Sequence, residues 1–342
     1  MKALMYHGRR DIRMEDVPVP RPGAGQVLVR VTDAGLSQTQ VNEFIEGPFI
    51  INTTPHARTG VGAPIIPCQE FGGIVHEAGP GVDAGWLGKQ VTVLPLTSCG
   101  SCDACRAGNT NHCPTMAYAG LLGGHGGFAE FALADASRIV ACPRRSWLTF
   151  VEPLLVGLHS FRLAGGDMRG KRALVIGAGA VGCAVAAVWK HRGADVTLFD
   201  LLPERLVRAG AAGLPGATED RIAGQRFDFV VDAAGKDLHS PKCAFTEAMG
   251  YVRAGGVMVS LGTYFSPVSF VPVGNLVNET CLVHSFAYNE HDLPALATLL
   301  AELPNDFEPL VERIPLDRMI DDGYYRAAVG KADFTRIVAT HD

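Results

Sequence analysis

The sequence predicts an α/β chain in two parts, a β-rich first domain followed by a doubly wound parallel sheet. Three observations carry this. Short apolar runs bounded by Gly and Pro fill the first 150 residues, where long helical periodicity is nearly absent. From about Leu154 apolar strands alternate with Ala-rich helical stretches, the order a parallel sheet requires. At 342 residues, with 47% apolar and 19% charged side chains, the chain is long enough for two cores.

In the first part QVLVRV (26–31), GGIVHEA (72–78), QVTVLP (90–95) and FAEFALA (128–134) have strand length and β-branched content. The stretch from Phe44 to Pro67 is too long and too rich in Gly and Pro for one element, and a loop of that length inside a domain is often functional. In the second part PLLVGLHSFRLA reads as a helix, then RALVIGAGAVG, AVAAVWKHRG and ADVTLFD as strand, Gly-rich turn, helix and strand. FDFVVDAAG (227–235), GGVMVSLGT (255–263) and CLVHSFAY (281–288) supply further strands of the sheet. A helix (DLPALATLLAEL) and a short strand (TRIVAT) complete the tail.

The net charge of -5 argues against a nucleic-acid surface, which wants a basic stripe, and no apolar run has the roughly 18 residues of a membrane span. The opening MKALMYHGRRDIRMED turns polar too early for a secretory signal. Cys68, Cys142, Cys183, Cys243 and Cys281 are scattered and read as reduced residues, so the expected compartment is the cytoplasm.

Four of the nine cysteines cluster in CGSCDACRAGNTNHC: Cys99, Cys102, Cys105 and Cys113. The spacing C-x2-C-x2-C-x7-C, with the turn formers Gly100, Ser101, Asp103, Gly108 and Asn109 between them, lets a short loop converge four sulfurs on one tetrahedral ion. A closed structural zinc site is the leading reading, with a disulfide pair or an iron–sulfur cluster as alternatives. A closed site leaves no position for substrate.

Gly177, Gly179 and Gly182 spell G-x-G-x-x-G directly after the strand RALVI, which is the context of a Rossmann dinucleotide site. The candidate cofactor contacts are Gly177, Ala178, Gly179, Ala180, Val181 and Gly182 of this turn. Ala234, Gly235 and Gly262, at the ends of later strands, join them. Asp200 follows 18 residues after Gly182, where a carboxylate accepts from the ribose hydroxyls and repels a 2′-phosphate. That favours NAD over NADP, with Arg205 five residues on able to soften the preference.

A β-rich domain carrying this cysteine loop, then a Rossmann domain with GAGAVG and the segment Glu152–Leu154 (EPL), resembles the zinc-containing alcohol dehydrogenase family of the medium-chain dehydrogenase/reductase superfamily. The resemblance covers essentially the whole chain. It implies a GroES-like catalytic domain over residues 1–153, a Rossmann domain over 154–290 and a return to the first domain over 291–342. It also implies hydride transfer at nicotinamide C4 and a homodimer or homotetramer.

Members of that family usually carry a second, catalytic zinc, and here its ligand segments are altered. GLSQTQVN places Ser37 where the cysteine belongs, with Gln38, Gln40 and Asn42 replacing a glycine, an aspartate and a frequent histidine. PCQEFGG places Cys68 for a glycine and Gln69 for the histidine ligand, while Glu70 is kept and Glu152 matches the third ligand position. A hydroxyl and a carboxamide are poor zinc ligands. Two carboxylates suit a harder cation such as magnesium, and Cys68 is a possible stand-in thiolate one position from the histidine site.

Without zinc, other groups must manage the charge that develops on oxygen. Thr39 stands at the family's proton-relay position and Ser37 adds a second hydroxyl. Glu70 and Glu152, if they share the cavity, repel one another's charge, so that one stays protonated and serves as acid. The alternative is structural: Glu70 pairs with an arginine and Glu152 caps a helix. Substrates already activated, an enone or an iminium, need no metal. The expected function is NAD-dependent hydride transfer with an alcohol or carbonyl, enone or iminium, catalysed without zinc. Its rivals are a redox-neutral lyase or cyclase, a zinc enzyme with rearranged ligands, and a cofactor-sensing protein. His159 is expected to pack and His56 to lie on the surface, and Phe44 and Phe49 to line the pocket.

Overall fold

The computed structural model describes residues 1–235, 243–329 and 334–341. Two compact units result: Met1–Glu152 with most of the chain end from Val311 onward, and Pro153–Leu310 with residues 334–335. The return to the first unit therefore begins at Val311, where the resemblance implied residue 291.

The first unit opens with a hairpin, β1 (Lys2–Gly8) and β2 (Asp11–Asp16). Its main sheet is built on β3 (Gln26–Gly35), whose Val27, Leu28, Val29 and Val31 are all buried. After helix α1 (Gln38–Ile45) come β4 (Phe71–Ala78) and β5 (Gln90–Val93). A two-strand ribbon of β6 (Leu96–Thr97) and β7 (Ala117–Tyr118) brackets the cysteine segment and its one-turn helix α2 (Asp103–Arg106). The strands β8 (Phe131–Asp135) and β9 (Ile139–Ala141) follow.

Helix α1 is absent from the expectations above, and its cause is local. Ser37 is the N-cap: its side chain accepts from the Gln40 N–H, and the Gln40 side chain accepts from the Ser37 N–H at 3.1 Å. This reciprocal pair is a capping box, which satisfies two of the donors that a helix start leaves open. Gln40, Val41, Glu43 and Phe44 form the buried face, and the Phe44 ring packs 5.3 Å from Tyr324.

Helix α3 (Val151–Leu163) starts at the end of the first unit, and the second unit then builds one parallel sheet. Its strands are β10 (Arg172–Ile176), β11 (Asp195–Phe199), β12 (Gly216–Ala217), β13 (Phe227–Asp232), β14 (Val252–Ser260) and β15 (Cys281–His284). Their spatial order, β12-β11-β10-β13-β14-β15, reverses direction at β10, as in a Rossmann sheet. Helix α4 (Ala180–His191) follows β10, and Gly182–Trp189 within it are all buried. This explains why its sequence is apolar all round. Helix α5 (Pro203–Ala211) follows β11.

The chain end then completes the first unit. β16 (Val311–Pro315) pairs with β17 (Arg336–Thr340), which pairs with β3, giving the order β16-β17-β3-β4-β5-β9 with β8 also on β3. Asp33 on β3, 1% exposed, receives Arg145 and Arg313 at 2.7 Å each. No helix among the described residues is long and apolar enough to cross a membrane.

Candidate functional site

The ribbon β6–β7 brings the cysteines together. The sulfurs of Cys99, Cys102, Cys105 and Cys113 all lie within 4.8 Å of one another, and those of Cys99 and Cys105 are 3.9 Å apart. A tetrahedral ion with Zn–S bonds of about 2.3 Å holds its sulfurs about 3.8 Å apart. Backbone N–H groups point at the sulfurs, Cys102 N at Cys99 Sγ (3.4 Å) and Cys99 N at Cys113 Sγ (3.4 Å), which favours thiolates. The four residues fit a structural zinc. They form the only such group of His, Cys, Asp and Glu among the described residues.

The positions that correspond to a catalytic metal behave differently. Ser37 spends its oxygen on the helix cap. Gln40 Nε2 donates to Gln69 Oε1 at 2.8 Å, and Gln69 Nε2 donates to Glu70 Oε1 at 2.8 Å. Glu70 Oε2 pairs with Arg336, which is 2% exposed and also donates from Nη2 to the Thr149 carbonyl at 3.0 Å. A buried chain thus runs from the N-terminus of α1 to the last strand, amide to amide to carboxylate to guanidinium. These donors do not fit a zinc ion. Cys68 does not rescue the site: its thiol donates to the Gly35 carbonyl at 3.4 Å, and burial pushes it up to about 12.

Glu152 has a partner of its own. It lies in the first turn of α3, 7% exposed, and accepts from the Tyr118 hydroxyl at 2.5 Å. Burial pushes its carboxyl from 4.5 up to about 7, against the lowering effect of the tyrosine hydrogen bond. Glu70 has the Arg336 guanidinium as its counter-charge, whereas the partner of Glu152 is the neutral Tyr118 hydroxyl. Thr39 is partly buried on the first turn of α1. His56 Nε2–H donates to the Met116 carbonyl at 3.0 Å, and Phe44 is buried while Phe49 is 42% exposed.

In the second unit the glycine turn has the shape that the spacing implies. Gly177 has φ +102°, and a Cβ there would meet the Ala234 backbone at 2.9 Å. A Cβ on Gly182 would strike the Gly177 carbonyl, so the third glycine lets α4 pack onto β10. At Gly179, the N-cap of α4, a Cβ would meet nothing within 4 Å. This leaves Ala180 and Val181 to start the helix beside open space. An anionic pyrophosphate fits such a cradle of free N–H groups. Asp200 accepts from the Ala178 N–H at 2.7 Å and the Leu202 N–H at 2.9 Å, with Arg205 Nη1 at 3.5 Å. Gly235 (φ +68°) and Gly262 pack against one another beside Asp232, which accepts from the Ala234 and Gly235 N–H groups and from Tyr264. His159 is buried in the same unit, 2.7 Å from Asp292.

Comparison with known proteins agrees with this division. The alcohol dehydrogenase GroES-like domain family matches residues 23–144, and the pyridine nucleotide-disulphide oxidoreductase family matches residues 172–212. D-altritol 5-dehydrogenase of Agrobacterium fabrum is 31% identical over 94% of each chain. The chain belongs to the medium-chain dehydrogenase/reductase superfamily. (R,R)-butanediol dehydrogenase of Bacillus subtilis is 29% identical over 95% of each chain. The crystal structure of 2R,3R-butanediol dehydrogenase from the same organism matches at TM-score 0.85 and 25% identity, covering 100% of this chain and 99% of that one.

As a member of that superfamily the protein is an NAD(P)-dependent alcohol dehydrogenase/reductase, an oxidoreductase that transfers hydride. Three residues of its site escaped sequence reasoning: Arg336, Tyr118 and the bridging side chain of Gln40. For Arg336 a signal existed, since a cation inside the apolar run TRIVAT must find a buried partner. For Gln40 the signal was the S-x-x-Q spacing from Ser37.

Proposed function

We propose that this dehydrogenase/reductase moves hydride between a nicotinamide, NAD in preference to NADP, and a small-molecule alcohol or carbonyl, enone or iminium, with no catalytic zinc. The chain Gln40–Gln69–Glu70–Arg336 carries the reading, because the side chains at the ligand positions spend their polar atoms on one another. The cysteine lobe supports one structural zinc per chain.

Bound nicotinamide supplies or accepts the hydride. The Gly177–Gly182 turn offers N–H groups to the pyrophosphate, and Asp200 offers carboxylate oxygens to the ribose. In the first unit Glu152, buried and hydrogen-bonded by a neutral hydroxyl, keeps a proton near neutral pH and can deliver it as hydride arrives. The Ser37 oxygen accepts from a backbone N–H, so its own proton is available for a developing oxyanion. Hydrogen bonds of this kind stabilise charge less than a metal ion does. The substrates favoured are therefore those that are activated before they bind.

Metal analysis of the purified protein, with NADH consumption measured on a panel of enones, imines and ketones, tests this. One zinc per chain with turnover is the expected result. Two zinc ions per chain, with turnover following the second, would refute the proposal. None of the nine cysteines is joined in a disulfide, which supports a reducing compartment such as the cytoplasm. Among the described residues eight of the sixteen exposed large apolar side chains fall between Phe265 and Phe286, around the edge strand β15. This clustering supports a homodimer or homotetramer.

A further inference from the structure

The cysteine lobe grows out of a ribbon that also carries a functional side chain. Leu96 pairs with Tyr118 and Thr97 with Ala117, and the four cysteines lie in the 98–116 segment that joins the two strands. Tyr118, whose hydroxyl binds Glu152, therefore sits five residues beyond the last ligand.

The long loop between α1 and β4 grips the base of the same lobe. Arg58 Nη2 donates to Thr97 Oγ1 at 2.6 Å and its Nε donates to the Thr115 carbonyl at 2.9 Å, one contact on each side of the ribbon. His56 donates to the Met116 carbonyl and accepts at Nδ1 from the Arg58 N–H at 3.3 Å. The middle of the loop closes on itself, His56 N–H to Val61 O (3.0 Å), Gly60 N–H to His56 O (2.8 Å) and Ala63 N–H to Asn52 O (2.9 Å), while its far end pairs with the first strand through Ile65 and Tyr6. Asn52 Oδ1 accepts from the Gly123 N–H, and Gly127 N–H donates to the Cys68 carbonyl, next to Gln69.

We propose that the cysteine lobe is a metal-set brace for the walls of the candidate site, with Arg58 and His56 as the positioning residues that tie the 46–67 loop to it. Closing four thiolates on one ion fixes the spacing between the two ends of the 98–116 segment, and binding energy of that kind is folding energy for the lobe. A planar guanidinium reaches two acceptors only while they keep one spacing, whereas an ammonium can serve one of them. Metal loss frees the strand ends, Arg58 loses one acceptor, and the loop and Tyr118 relax together.

The inference rests on the lobe holding zinc, and hydrogen exchange separates the two claims. The amides of His56, Gly60 and Ala63 are the reporters, read in the zinc-loaded protein, after chelation, and in Cys105→Ser, Arg58→Ala and Arg58→Lys. Chelation and Cys105→Ser are each expected to speed exchange there at least tenfold. Arg58→Ala should do the same with its zinc retained, lowering kcat several-fold with the cofactor KM unchanged, and Arg58→Lys should fall between. Zinc removal that leaves loop exchange unchanged overturns the brace and spares the zinc reading. So does an Arg58→Ala protein with wild-type exchange and kcat. A purified chain without zinc overturns both.

Discussion

Replacing Glu152 by Gln removes a titrating proton from a site otherwise preserved, since the amide oxygen still accepts from Tyr118. The carboxyl stands at about 7 in the folded chain against an ordinary 4.5, so ionising it in place costs about 3 kcal/mol. The native state binds this proton more tightly than the unfolded state. Its contribution to stability is therefore complete at low pH and is lost as pH rises through about 7. Between pH 5 and pH 8 linkage gives a loss of roughly 2–3 kcal/mol, which Glu152→Gln does not suffer. Urea unfolding of both proteins at the two pH values measures it, followed by tryptophan fluorescence, with Trp86 and Trp147 in the same unit as Glu152. The variant's advantage should grow by that amount from pH 5 to pH 8. A difference constant to within about 0.5 kcal/mol would show a carboxyl that ionises normally, and the proton-donor role would fall with it.

Tyr118→Phe should lower kcat for reduction by about ten- to a hundredfold with little change in the cofactor KM, read from initial rates. Arg336→Met leaves the Glu70 carboxylate buried without its counter-charge and should cost about 3–5 kcal/mol, while Arg336→Met with Glu70→Gln should recover most of it in the same melts. Asp200→Ala should narrow the preference for NAD over NADP, measured as the ratio of kcat/KM values, and should also lower the melting temperature through the Ala178 and Leu202 N–H groups it releases. Leu276→Glu, at a side chain 77% exposed beside β15, should reduce the oligomer mass seen by light scattering.

Much of the second unit was legible because its signals are local. A strand, a turn that only glycine can make and an apolar helix occupy one continuous stretch, and Gly177 and Gly182 are required by contacts within a few residues of themselves or one strand away. The cysteine lobe was legible for the same reason. The candidate site was legible only as a set of substitutions. Ser37, Gln40 and Gln69 could be seen to depart from a metal-binding pattern. That they form one chain ending on Arg336, from the opposite end of the sequence, is a fact of β17 lying against β3. The pairing of Tyr118 with Glu152 likewise depends on two turns and a ribbon that no spacing rule encodes. Helix α1 was missed although its capping box was in plain view, because two of the side chains on its buried face, Gln40 and Glu43, are polar and carry no apolar period.

The cap on α1 bears on what single mutations can reach from this chain. Ser37→Cys would restore a metal-binding thiol but remove an oxygen that holds the Gln40 N–H, a loss of about 1 kcal/mol at a helix start. Gln69→His would take from the Gln40 amide its acceptor and from Glu70 one of its donors. Each step alone leaves a buried polar group stranded before any ion has a full ligand set. A path back to metal-dependent chemistry crosses a stability valley, and several replacements must arrive together to cross it. The present arrangement is therefore protected from reversion by the same hydrogen bonds that hold it in place.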